Sequence, residues 1–259
     1  MTVLPSELRT PLVDLLLAVA DDKFILGHRN ADWTGLAPLL EEDIAFSALA
    51  QDDLAHASAL YEFVANLTDG DPNRLAYGRK PEEYRCCHLV ELPDEFDWAV
   101  ALVRQFLCSH FELLRLGRLA NSSYEPLRAL AARVLAEQRL SLGHADQWIV
   151  RLGKGTEESG TRIQGALDKV APLATTLFEP TAGVEQLEAA GVYPRGEREM
   201  FAAWREAVDA VTREAGLRLA REPLPADYVG GRRGQRSVHF AALHDELTEV
   251  FRVEPEAAW

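Results

Sequence analysis

The chain has 259 residues, 47% of them apolar and 26% charged, with a net charge of −14 from 41 acidic against 27 basic side chains. That balance supports a folded core and excludes disorder as the default state. So acidic a surface repels nucleic-acid phosphates and anionic membranes, and neither is expected as a main partner.

Helical periodicity runs through nearly the whole sequence, with no convincing alternating strand. A first helix is expected over Pro11–Ala31, with Val13, Leu16, Leu17, Ala20, Phe24 and Gly27 on one side. Leu12, Leu15, Val19, Leu26 and Trp33 fall off that stripe, which predicts a second buried surface. A turn at Trp33–Pro38 leads to a second helix over Leu39–Leu67. Thr68–Pro93 carries Asp-Gly-Asp-Pro and further prolines, and reads as a long irregular crossover. A third helix is expected over Glu95–Ala120 and a fourth over Tyr124–Leu152, which Gly153-Lys154-Gly155 stops.

Thr156 is placed to cap a fifth helix reaching Phe178, with Glu157 and Glu158 favourably set in its first turn. A sixth helix is expected over Gly196–Ala220, then a basic, glycine-containing loop over Arg221–Gln235. Ser237 would cap a last helix ending near Phe251. Two helical hairpins joined by a long crossover predict an all-α, ferritin-like bundle. The organisation expected is one domain over residues 1–259, with a core bundle over about 8–152 and additional helices over about 156–251.

The cysteines Cys86, Cys87 and Cys108 match neither a disulfide framework nor a zinc pattern, and suit apolar packing in a reducing cytoplasm. Leu12–Ala20 is interrupted by Asp14, so no signal peptide is expected, and no apolar run is long enough to span a bilayer.

Polar residues inside the apolar stripes are the candidates for chemistry. On the second helix Asp53 and His56 fall within a face made by Ala45, Phe46, Leu49, Leu60, Phe63, Val64 and Leu67, with Glu42 near its start. An acid three residues before a His presents carboxylate and imidazole on one side, as di-iron bundles do, although the acid there is normally Glu. A complete site needs a second Glu-x-x-His. The fourth helix offers Glu137, but Leu140 follows where His is wanted, and His144 stands seven residues on. The third helix places Gln105 and Ser109 on its stripe, with Glu112 at the border.

Asp53, His56, Glu137, Glu112 and His144 are therefore the metal candidates, as a degenerate di-metal centre of an oxidase. The alternative is a hydrogen-bonded core network of Asp53 and His56 that needs no metal, with Glu137 and His144 on a partly solvated helix flank. Asp14, Asp21 and His28 form a line that reads as the polar border of the first helix. Gly230-Gly231-Arg232-Arg233-Gly234-Gln235-Arg236 is either a dock for an anionic partner or coenzyme A ester, or a flexible loop.

Several stretches together carry a family resemblance: Asp21-Asp22 with Leu26-Gly27-His28-Arg29 and Trp33, Leu40-Glu41-Glu42-Asp43-Ile44-Ala45, and Leu89-Val90-Glu91-Leu92-Pro93. Val103-Arg104-Gln105-Phe106, the run from Trp148 to Ser159, and Gly230-Gly231-Arg232-Arg233-Gly234 with His239 extend it over nearly the full length. The whole resembles the C-subunit (PaaC) family of ring-1,2-phenylacetyl-CoA epoxidases of aerobic phenylacetate degradation.

The resemblance implies a structural subunit with no catalytic residues and no cofactor of its own. It implies pairing with a homologous catalytic A subunit that holds the di-iron centre. A small B subunit and a reductase complete that complex, which uses O2 and NADPH to epoxidise the aromatic ring of phenylacetyl-CoA. A homodimer is a further expectation for the chain alone. The sequence departs from the family pattern at Asp53 and His56, where an apolar residue and Gln are usual.

Overall fold

The computed structural model describes residues 4–194, 197–219, 223–225 and 227–255, without the side chains at 140, 141 and 197–199. Among these residues the chain is all-helical, with the element order of a ferritin-like helical bundle. The helices are α1 (Ser6–Ala31), α2 (Leu40–Thr68), α3 (Pro72–Tyr77), α4 (His88–Glu91) and α5 (Trp98–Leu119). They continue with α6 (Glu125–Gly153), α7 (Glu157–Ala174), α8 (Val184–Ala189), α9 (Glu197–Glu214) and α10 (Phe240–Val253). No helix among the described residues is long and apolar enough to cross a membrane.

Two compact units are present. One comprises residues 5–93, 179–182 and 227 onward, and is built on the hairpin α1–α2, with α3, α4 and α10. From Pro11 to Gly27 nearly every residue of α1 is buried, which is the signature of a helix enclosed on all sides. Leu12, Leu15, Val19, Leu26 and Trp33 are thus buried by the chain itself. The second buried surface expected there is present, and it is covered within the chain rather than left for a partner. α1 also begins five residues earlier than its periodicity suggests, because Leu8 is buried and draws the preceding turn into the helix. In the crossover, α3 has Pro72 at its start and an Asp71 cap whose carboxylate accepts from the Arg74 N–H at 2.7 Å.

The other unit comprises described residues of 94–178 and 183–226, with α7 and α9 packed on the hairpin α5–α6. Asp97 caps α5 by accepting from the Ala99 N–H at 3.0 Å, and Thr156 caps α7 by accepting from the Ser159 N–H at 3.1 Å. The buried Trp204 indole of α9 donates to the Leu107 carbonyl at 3.1 Å beside an edge-to-face cluster with Phe178 and Phe111. α9 ends at Glu214, earlier than expected, and Gly216 follows at φ +71°, a left-handed residue that cannot continue a helix. The predicted helix end at Ala220 falls outside the described residues, and so does its start at Gly196.

Candidate functional site

The α1–α2 hairpin brings Lys23 and Asp53 together in the interior. Lys23 is almost fully buried, and its ammonium donates to the Asp53 carboxylate at 3.0 Å. Asp53 is only 4% exposed, and its second oxygen is buried without a hydrogen-bond partner. A charge inside a helix hairpin is tolerated only when neutralised, and here a lysine does this. His56 and Glu42 are buried on the same helix, as the face pattern predicts.

The remaining candidates belong to the other unit. Glu112 is buried and paired with Arg115 one turn further along α5, whose guanidinium also lies over the Phe111 ring at 4.8 Å. Gln105 donates to the Ser109 hydroxyl at 3.0 Å. On α6 the inward positions are Leu127, Ala131, Val134, Gln138, Ala145 and Ile149, so Gln138 is buried beside Glu137, which the sequence pattern sets at the edge of the stripe. Glu137 is exposed, because one residue is a 100° step around the helix. His144 is half-buried, and the side chain of Leu140 lies outside the described residues.

These residues do not fit a di-metal centre. Metal ligation needs several carboxylates and imidazoles converging on one point. Among the described residues no three His, Cys, Asp or Glu side chains converge in that way. Lys23 and Arg115 stand as counter-charges to the buried carboxylates of Asp53 and Glu112.

The most elaborate polar site lies elsewhere, around Asp21 and Asp22. Asp21 is fully buried, which corrects its reading as part of the polar border of an amphipathic helix. It accepts from the Tyr61 hydroxyl at 2.6 Å, from the Arg85 N–H at 2.6 Å and from the Arg79 guanidinium. The neighbouring Asp14 is half-buried and pairs with Arg85 at 3.4 Å. Burial and the Asp21 charge push the Tyr61 phenol well above its ordinary range. Asp22 accepts from the Cys87 N–H at 2.9 Å and from Arg232 at 2.7 Å.

Arg232, in the glycine-containing loop, is 2% exposed and also donates to the Ala18 and Arg85 carbonyls at 3.1 and 2.9 Å. Burial alone would lower the Arg232 pKa, but the Asp22 charge outweighs it and holds the guanidinium above its usual range. Arg236 pairs with Glu91 at 3.0 Å and donates to the Cys86 sulfur at 2.7 Å. Glu179 accepts from the Gly230 and Arg232 N–H groups at 2.6 and 2.9 Å.

The basic loop is therefore neither a free anion dock nor a flexible linker. Arg232 and Arg236 are held in internal ion pairs, and the exposed Arg233 donates to the Pro180 carbonyl at 3.2 Å. Gly231 is required there because a Cβ would overlap the Cys86 carbonyl oxygen. Sequence periodicity misses this network because it joins residues more than 200 positions apart. The available signal is the run Asp21-Asp22-Lys23, three charged residues in a stretch of α1 where nearly every neighbour is buried.

A profile of the phenylacetic acid catabolic protein family matches residues 1–259. The chain is also 30% identical over 244 residues to the C subunit of the 1,2-phenylacetyl-CoA epoxidase of Escherichia coli (strain K12), covering 94% of this chain and 97% of that protein. The chain belongs to the phenylacetic acid catabolic protein family.

Proposed function

We propose that this chain is a structural, non-catalytic C-type subunit of a cytoplasmic phenylacetyl-CoA epoxidase. In this reading it pairs with a homologous catalytic A subunit that carries the di-iron centre, and a small B subunit and a reductase complete the complex. The observation that carries the non-catalytic part is the Lys23–Asp53 pair: the acid best placed to be a ligand is held by an ammonium. Glu112 is held in the same way by Arg115. What this chain contributes is a bundle locked by buried ion pairs, a scaffold suited to holding a partner in place. The Escherichia coli relative's name, which makes it part of an epoxidase acting on phenylacetyl-CoA, supports the assignment of complex and substrate.

The test is reconstitution with the catalytic subunit and reductase, following oxidation of NADPH and epoxide formation. Turnover by the complex carrying Lys23→Met, Asp53→Leu and His56→Gln, which removes the buried pair as a whole and strands neither charge, should equal that of the unaltered complex. Abolished turnover with intact assembly would assign the chemistry to this chain.

A further inference from the structure

α1 and α2 are joined by a turn that holds large apolar side chains out in water. Leu36, Leu39, Leu40 and Ile44 are 57, 46, 71 and 63% exposed, all within nine residues. Leu40 and Ile44 are four apart on α2, so they share a face, and the exposed Ala48 continues it one turn on. Beside them a groove of about 320 Å³ is lined by Thr34, Asp43, Ile44, Ser47, Ala48 and Gln51.

The turn is fixed. Trp33 is buried beneath it, and its carbonyl accepts from the Leu36 and Ala37 N–H groups at 3.0 and 3.1 Å. The Gly35 N–H donates to the Asp43 carboxylate at 2.6 Å, and the Thr34 and Ser47 hydroxyls meet at 2.9 Å. The leucines are thus presented by a preformed structure, which lowers the ordering cost of covering them. A clustered apolar patch of this kind on a folded protein marks an interaction surface.

Charge narrows the occupant. From Asn30 to Asn73 the sequence holds nine carboxylates and no Lys or Arg. Asp32, Glu41 and Asp52 are exposed around the patch. A phosphate-bearing surface would be repelled. A second copy meeting this face with the same face would set one acidic rim against another, which disfavours a symmetric dimer there.

We infer that the α1–α2 turn is the docking surface for a partner subunit whose own face is apolar at its centre and rimmed by Lys and Arg. This rests on the subunit reading above and specifies where assembly occurs on this chain. The experiment is co-expression with the tagged catalytic subunit, followed by quantification of co-purified chain. The unaltered chain is compared with Leu40→Glu/Ile44→Glu and with Val250→Glu, a control at an exposed residue of α10.

The double variant should keep the thermal midpoint of the unaltered chain, since both residues face water, and lose at least about tenfold in co-purification. Val250→Glu should co-purify like the unaltered chain. Retention of the double variant would overturn the surface assignment while leaving the subunit reading intact, and equal loss with Val250→Glu would overturn it too. No co-purification of the unaltered chain would remove the subunit reading itself. A lone-chain dimer in sedimentation that the double variant dissociates, with the heteromer unaffected, would assign the surface to a second copy and overturn the proposal.

Discussion

The Arg232 guanidinium meets the Asp22 carboxylate at 2.7 Å across 210 positions of sequence, tying the loop before α10 to the middle of α1. Both groups are buried, and the same guanidinium satisfies two main-chain carbonyls. Removing one member of such a pair strands the other charge in the interior, so the cost is large compared with that of a surface ion pair.

Arg232→Met is therefore expected to destabilise the fold by about 3–5 kcal/mol, read from the urea midpoint at constant m-value. Arg232→Lys should recover little of this, because an ammonium cannot reproduce the fork that reaches Asp22 and both carbonyls. Equal stability of Arg232→Met and the unaltered chain would show that the loop is not a staple.

Lys23 and Asp53 allow a double-mutant test. Lys23→Met alone leaves a buried carboxylate without its counter-charge and should cost about 3–5 kcal/mol. Lys23→Met with Asp53→Leu removes both desolvation penalties, and should return close to or above the unaltered stability. Additive losses in chemical denaturation would contradict the pairing.

His28 sets an acid limit. Its ring meets the Phe24 ring edge-on at 4.7 Å, and burial lowers its pKa from 6.5 to about 4. Between those values the unfolded chain binds a proton that the folded chain does not. The stability His28 contributes is thus complete above about pH 6.5 and is lost as pH falls towards about 4. His28→Phe keeps the aromatic contact and should flatten this acid-side decline in the thermal midpoint. An unchanged pH profile would count against it.

The three cysteines offer a check on packing. Cys86, Cys87 and Cys108 are all buried, and burial drives the Cys86 thiol well above its ordinary pKa. Folded protein should release no thionitrobenzoate with Ellman's reagent, and denatured protein should release three equivalents. Rapid labelling of the folded chain would place a thiol at the surface.

The helices were legible in the sequence because 3.6-residue periodicity and local caps are short-range signals. Thr156 with Glu157 and Glu158 shows this, as does the placement of Asp53 and His56 on a buried face. What those residues touch was not legible. Lys23 lies 30 positions from Asp53, and a lysine within an apolar helix carries no mark of its partner. Glu137, at the edge of its stripe, is exposed, while Gln138, one 100° step on, takes the buried position, a difference that periodicity resolves poorly. The off-stripe leucines of α1 are apolar for a reason nearer than assembly: the chain itself buries them.

The most direct measurement is metal content. Protein expressed alone with iron and manganese supplied should carry well under about 0.1 metal per chain, and Asp53→Ala should not change that. About two metals per chain, lost in Asp53→Ala, would mean that a di-metal centre displaces Lys23 from Asp53, and the structural-subunit account would fail.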